Sequence, residues 1–261
     1  MTAFRTLSIA LALAFASHAA DNTAPASANE LASRLSALQQ DGASYVRVKM
    51  EIKGATRETL QLQIKQRRTG NATEVVYQVL FPKERKGESV LLRKTGNRAA
   101  SGSVFVPPNT VRTIEDMKDT LFGSDLSYDD ILENFFAWDR QAIVGAEEVD
   151  GVNCQILESK PGKGERSSYG SVRSWIDTRR IVPLRVEKYS DSGKLLRRID
   201  TTRVVADAGR HIPANLTVRD ARPGSMTEFD GSRIRHDVNY TSAEFTVEGL
   251  KEVTVPRGSA E

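Results

Sequence analysis

The chain has 261 residues, a formal net charge of +3, 27% charged residues and a single cysteine. So nearly balanced a charge lacks the lopsided basic face of a nucleic-acid binder, and nucleic acid is not expected as a partner. One cysteine excludes an intramolecular disulfide, so stability has to come from buried core.

Residues 1–19 read as a cleavable signal peptide: Arg5 supplies the positive start, Leu7 to Ala16 the apolar stretch, and Ser17-His18-Ala19 the small-residue cleavage site. The mature chain is therefore expected to be exported. No cysteine stands at the cleavage site to take a lipid, and no later run approaches the ~18 apolar residues that span a bilayer, which predicts a soluble product. Residues 20–261 are expected to form one domain, with 20–26 a polar leader that lacks structure. Ser27 and Glu30 form a capping box, and Leu31, Leu35 and Leu38 recur at four and three, predicting a helix to about Gln40.

From there the period changes to two. Val46, Val48, Met50 and Ile52 alternate with charged residues, and Leu60, Leu62 and Ile64 with Gln61, Gln63 and Lys65 after a turn at Gly54. Strands follow at Val75 to Phe81, Ser89 to Arg93 and Gly102 to Val106, where Pro107-Pro108 is expected to end pairing. The alternation resumes at Ala142 to Val149. Asp150-Gly151 predicts a type I′ hairpin into Val152 to Glu158, because both central residues of that turn need positive φ. Further strands are expected at Val172 to Asp177, Leu184 to Tyr189, Leu195 to Val205, Ile212 to Asp220 and Arg233 to Tyr240, with a short turn of helix between Glu244 and Val253.

Between the two runs of strands lies a helical signal. Ser127 with Asp130 is a capping box, and Ile131, Leu132, Phe135, Phe136 and Trp138 form a broad apolar stripe. A shorter helix is expected before it, from Thr113 and Asp116 through Met117, Leu121 and Phe122 to a stop at Gly123. The fold class is thus mainly β with helices: a curved antiparallel incomplete barrel of about ten to twelve strands, its concave face covered by helices.

Catalytic arrangements are scarce. His211 and His236 stand far from each other and from Cys154, so no zinc spacing or Cys/His couple exists, and no cofactor or metal is expected. Cys154 alternates with Val152 and Ile156 as a small buried hydrophobe. Asp125, Asp129, Asp130 and Glu133 could in principle pair for acid–base work, but they are accounted for as caps and first-turn acids, so the chain reads as non-enzymatic. The basic clusters Lys65 to Arg68, Lys83 to Lys86 and Arg179-Arg180 read as solvated strand ends, or as a rim that touches an anionic membrane surface transiently.

Several stretches resemble a known family. These are Phe81-Pro82 with Gly87 and Leu91-Leu92; Val106-Pro107-Pro108; the block from Leu121 to Asp130; and Trp175-Ile176-Asp177 with Pro183 to Glu187 and Tyr189. Together they resemble the outer-membrane lipoprotein-sorting proteins, the LolA-like superfamily, over roughly Tyr45 to Val205. The resemblance implies a periplasmic carrier with an apolar cavity for acyl chains, a lipid or lipid-modified protein as cargo, and an inner-membrane exporter as working partner. Leu92, Phe105, Leu121, Ile131, Phe135, Trp138 and Trp175 are the expected lining residues. A sensing module that recognises a partner protein or lipid signal with the same fold is the alternative. A hydrolase of an envelope polymer, built on Asp129 and Asp130, is the more distant one.

Overall fold

The computed structural model describes residues 27–38, 42–221, 224–231 and 234–256; the expected signal peptide and leader lie outside them. Helix α1 spans Ala28–Leu38, its first turn capped by Ser27, whose hydroxyl accepts the Glu30 amide. A first run of strands follows, β1 (Ala43–Lys53), β2 (Arg57–Thr69), β3 (Ala72–Phe81), β4 (Ser89–Thr95), β5 (Ser101–Val106) and β6 (Thr110–Thr113). The second run is β7 (Arg140–Val149), β8 (Val152–Lys160), β9 (Ser171–Asp177), β10 (Val182–Tyr189), β11 (Leu195–Asp207), β12 (Arg210–Asp220), β13 (Met226–Gly231) and the short β14 (Arg235–His236). Asp150 and Gly151 both take positive φ, 49° and 78°, in the turn between β7 and β8, as the Asp-Gly pair requires.

All fourteen strands belong to one antiparallel sheet, curved and unclosed. Its order is β6-β5-β4-β3-β2-β1-β13-β12-β11-β10-β9-β8-β7, with β14 on the free part of β1. Each run is a meander of sequential neighbours, and the two are joined where β1 pairs β13, Val48 opposite Gly231 through Lys53 opposite Met226. Consequently β6 and β7, consecutive in the chain, occupy opposite edges. The connection between them has to cross the sheet.

That connection is less helical than its apolar spacing suggests. The expected first helix is a single 3-10 turn at Leu121–Gly123, with Phe122 left-handed at φ 52°. Thr113 caps no helix because it is the last residue of β6. Helix α2 spans only Tyr128–Leu132, since Glu133 is already extended, and a 3-10 turn at Phe135–Ala137 follows. The strand count of ten to twelve is also corrected to fourteen. The two additions are β6, whose four exposed residues carry no buried alternation, and β13, which pairs between β1 and β12. The expected strand at Arg233 to Tyr240 is reduced to β14; its first residue lies outside the described ones.

Side chains from outside the sheet pack on part of each of its faces. On one, Leu121, Tyr128 and Leu132 close a cluster with Met50, Leu60, Leu62, Val75, Val79, Val90 and Leu92 of β1–β4. Beside it, Leu31 and Leu35 of α1 pack with Phe135, Phe136 and Trp138 against Leu157, Val172, Ile176 and Val186 of β8–β10. On the opposite face the C-terminal segment lies over β2–β5, where Phe245 and Leu250 bury Val76, Leu91 and Phe105. Beneath this strap runs a polar file. Gln63 Nε2 donates to Gln78 Oε1 (2.8 Å) and to the Thr254 carbonyl (3.0 Å), Gln78 Nε2 donates to the Leu250 (3.3 Å) and Glu252 (3.1 Å) carbonyls, and Lys65 Nζ donates to Thr254 Oγ1 (2.7 Å). A buried amide or ammonium without such partners would cost about 1–3 kcal/mol, so these polar strand residues hold the strap in one register.

Phe245 is 1% exposed, stacks edge-on to Tyr240 and lies under the Arg67 guanidinium. Phe245→Ala should therefore cost about 3 kcal/mol or more, read as a lower midpoint in urea unfolding with an unchanged slope.

Candidate functional site

Between the sheet and the crossing segment lies a half-open cavity of about 380 Å³. Its sheet wall is Val186 of β10, Ile199 of β11 and Ile212, Pro213 and Leu216 of β12, with Ile234; its opposite wall is Ile131, Leu132, Phe135 and Phe136, with Leu38 of α1 at one end. The volume falls within the usual range of small-molecule sites, about 300–1,000 Å³. The lining is mixed: beside the apolar walls stand polar and charged groups, among them Asp130, Lys188, Arg68, Arg210 and His236.

The polar groups centre on Asp130. Its carboxylate caps α2 from within: Ser127 N–H donates to Oδ2 (2.8 Å), and Ser127 Oγ accepts the Asp130 amide (3.3 Å). The same carboxylate accepts from Lys188 Nζ (2.7 Å) and the Tyr169 hydroxyl (2.6 Å) at Oδ1, and Arg197 Nε lies 2.7 Å from Oδ2. The Asp130 side chain is 0% exposed, that of Lys188 1% and that of Arg197 10%. Lys188 reaches it because β10 shifts register between Pro183 and Arg185. Beyond the shift Val186 and Lys188 face the crossing segment, whereas Arg185 lies over the Trp175 ring. The ammonium is also flanked by the Tyr169 and Phe135 rings, 4.8 and 5.6 Å from their centroids.

Burial pushes the Asp130 pKa up, but Lys188 and Arg197 beside it prevail and hold it down at about 2. Three residues on, the balance reverses. Burial raises the Glu133 carboxyl above the ordinary carboxylate range, and the Ser167 hydroxyl with the more distant Lys188 and Lys94 does not offset it. A second tie joins Asp125, 0% exposed, to Thr227 of β13: the threonine hydroxyl donates to Asp125 Oδ2 (2.7 Å) and accepts the Asp125 amide (2.9 Å).

Of the residues expected to line a cavity, Ile131 and Phe135 do so. Trp138 lines an outer groove with α1 and a polar hollow beyond it. Leu92 and Leu121 lie in the solid cluster over β1–β5. Phe105 and Trp175 are on the other side of the sheet, because strand neighbours alternate faces: Val104 and Ile176 point to the helical side, Phe105 packs under the strap, and Trp175 packs with Val149, Cys154, Val182 and Leu184. Trp175 Nε1 donates to Glu147 Oε2 (2.8 Å), which fixes its outward position. The sheet wall itself was missed, although the alternation in β11 and β12 carries its signal. Lys188 also stood on the same phase as Val186.

Asp129 and Asp130, the pair a hydrolase would need, are engaged separately, Asp129 by the Ser168 hydroxyl and Asp130 by Lys188 and Arg197. Among the described residues no three His, Cys, Asp or Glu side chains gather as metal ligands, and no helix is long and apolar enough to cross a membrane.

A family model described as an uncharacterized protein matches residues 70–252, well over half of the chain. The chain belongs to that family. Its fold is shared by solved structures. A DUF1329 family protein from Desulfovibrio piger is 25% identical, with a TM-score of 0.78 over 85% of this chain and 97% of the other. A domain described as an outer-membrane lipoprotein-sorting protein from Vibrio parahaemolyticus is 21% identical, with a TM-score of 0.76 over 86% and 98%. A LolA superfamily protein from Nitrosomonas europaea is 18% identical, with a TM-score of 0.69 over 86% and 100%. No curated protein matches the chain. The fold is thus LolA-like, as the sequence motifs suggest.

Asp130→Asn leaves buried Lys188 without its counter-charge and should destabilise the protein by about 3–5 kcal/mol in chemical denaturation. A carboxylate depressed in the native state contributes stability above its ordinary value, near 3.9, that is lost as pH falls toward the native value of about 2. Wild-type stability should therefore drop by on the order of 2 kcal/mol across that interval, a slope missing from the Asn variant. Glu133→Gln has the opposite signature. A raised carboxyl favours the fold at low pH and loses that contribution as pH rises past its ordinary range, so the variant's melting temperature should gain on wild type between pH 4 and 7.

Proposed function

We propose that the protein is a periplasmic carrier, and no enzyme, that shelters an acyl chain of a lipid or lipid-modified protein on its way to the outer membrane. The observation that carries this reading is the cavity of about 380 Å³ between β10–β12 and the Ile131–Phe136 stretch, with facing apolar side chains from Ile131, Phe135, Val186, Ile199, Ile212 and Leu216. In this reading the crossing segment acts as the cover of the sheet's concave face. The names of the two lipoprotein-sorting and LolA relatives agree with it, as does the separate engagement of Asp129 and Asp130.

The driving force is burial. Each CH₂ moved out of water contributes about 0.8 kcal/mol, so a dozen methylenes give on the order of 10 kcal/mol before ordering costs. The cover is held by polar ties at Asp125–Thr227 and at Asp130, both just N-terminal to its apolar stretch from Ile131 to Phe136. Opening it then means separating a few specific hydrogen bonds while leaving the sheet intact. An inner-membrane exporter as donor, and brief contact with a membrane surface, belong to the same reading. A sensing module for a partner protein is the alternative.

Protein purified from a Gram-negative periplasm and examined by native mass spectrometry should carry a lipid-sized adduct, extractable with organic solvent. Ile199→Trp and Ile212→Trp, which fill the cavity, should abolish the adduct while circular dichroism stays unchanged. An empty wild-type chain that retains one specific protein would favour the sensing module.

A further inference from the structure

The cavity does not end at its apolar walls. Two hollows adjoin it along the chain from Leu132 to Asn134. One, about 470 Å³, lies between the tips of the β2–β3 and β4–β5 hairpins and the 165–166 loop, and shares Arg68, Leu132 and Asn134 with the cavity. The other, about 250 Å³, shares Leu132 and Glu133 with the cavity and is walled by Lys94, Arg98, Arg166, Ser167 and Ser168.

Charges of both signs line these hollows, but among the described residues those of the smaller one are not paired with one another. Lys94, Arg98 and Arg166 have no carboxylate at ion-pair distance among the described residues. The acids on the same walls are engaged or weakened. Asp129 accepts the Ser168 hydroxyl, Glu165 Oε2 accepts the Gly162 amide (3.1 Å), and burial moves Glu133 toward its neutral form. Lys94, Arg98 and Arg166, none of them in a direct ion pair among the described residues, are cationic donors of the kind that phosphate oxygens accept from, while the serine hydroxyls beside them serve Asp129 and Glu133.

At the inner boundary the preference inverts. Glu133 is 8% exposed; the Ser167 hydroxyl serves its carboxylate, yet its Oε2 is buried with no hydrogen-bond partner among the described residues, as is Asn134 Oδ1, while Asn134 Nδ2 donates to Ser36. Both residues line the cavity. Buried acceptors of this kind are almost always matched by a donor, and a ligand hydroxyl or ammonium supplies one.

We propose that the cavity's occupant is a phosphate-bearing amphiphile. Its anionic head sits among Lys94, Arg98 and Arg166, a hydroxyl or ammonium of that head donates to Glu133 and Asn134, and its hydrocarbon runs along Val186, Ile199 and Leu216. This rests on the carrier reading and adds the class of head group that the mouth selects.

The test uses delipidated full-length protein incubated with vesicles of one lipid at a time, retained lipid being counted by mass spectrometry, with inorganic phosphate titrated separately by calorimetry. Phosphatidylglycerol and phosphatidylethanolamine should be retained about tenfold better than diacylglycerol, the ratio expected of one or two charge-assisted hydrogen bonds, with phosphatidylcholine, which lacks the donor, between them. The double variant Lys94→Glu, Arg166→Glu should lose that advantage, keep its diacylglycerol and melt at an unchanged temperature. Equal retention of all four lipids, or indifference to charge reversal, overturns the head-group assignment and leaves the carrier standing. Equal retention of phosphatidylcholine and phosphatidylethanolamine overturns the donor contact. Phosphate bound as tightly as the phospholipids overturns it in favour of a free-anion site. Retention of no lipid at all, diacylglycerol included, brings down the carrier reading itself.

Discussion

The connection between β6 and β7 has to travel from one edge of the sheet to the other, and this constraint organises the molecule. Thirteen strands in the main path, at about 4.8 Å each, set edges ~58 Å apart if the sheet were flat. The 26 residues between β6 and β7 could reach ~90 Å fully extended, so they cross with length to spare, and the surplus is spent on turns and on α2. A chain laid across an apolar face must turn apolar groups inward and satisfy its own backbone. The capping box at Ser127, the 3-10 turns and the inward Leu121, Leu132, Phe135 and Phe136 are the ways this segment does so.

Asp130 shows how one side chain can serve two levels of structure. Locally it closes the first turn of α2; globally it is the anchor that Lys188 and Arg197 reach from two adjacent strands. A buried ion cluster adds less net stability than an apolar replacement of equal fit often would, because desolvation offsets most of the attraction. What it adds is direction, since only one placement of α2 on β10 and β11 satisfies all three charges. The apolar neighbours could slide by a residue at modest cost, but the carboxylate could not.

Much of the fold was legible because so many strands have one dry and one wet side. Alternation located twelve of the strands, and Asp150-Gly151 and Ser127 with Asp130 marked a hairpin and a helix start that the structure contains. Alternation fails where nothing is buried, as in Thr110–Thr113, and it gives no sign that β13 would sit between β1 and β12, since that pairing joins distant parts of the chain. The apolar stripe from Ile131 to Trp138 overstated the helix, because a 3-10 turn after an extended Glu133 serves Phe135 and Phe136 equally well. The site was less legible still. Phe105 and Trp175 drew attention as large aromatics, yet one step along a strand reverses the side, and the partners of Asp130 were two cations nearly sixty residues away or more.

A closed barrel has its bore fixed by strand number and stagger. This sheet keeps two unjoined margins, β6 and β7, each exposed along almost its whole length. Among the described residues no ladder joins those two margins, so within the reach of the crossing segment the trough can widen or narrow by changes in twist between neighbouring strands, with every rung of the ladder kept. One backbone is thereby suited to contents of unequal bulk.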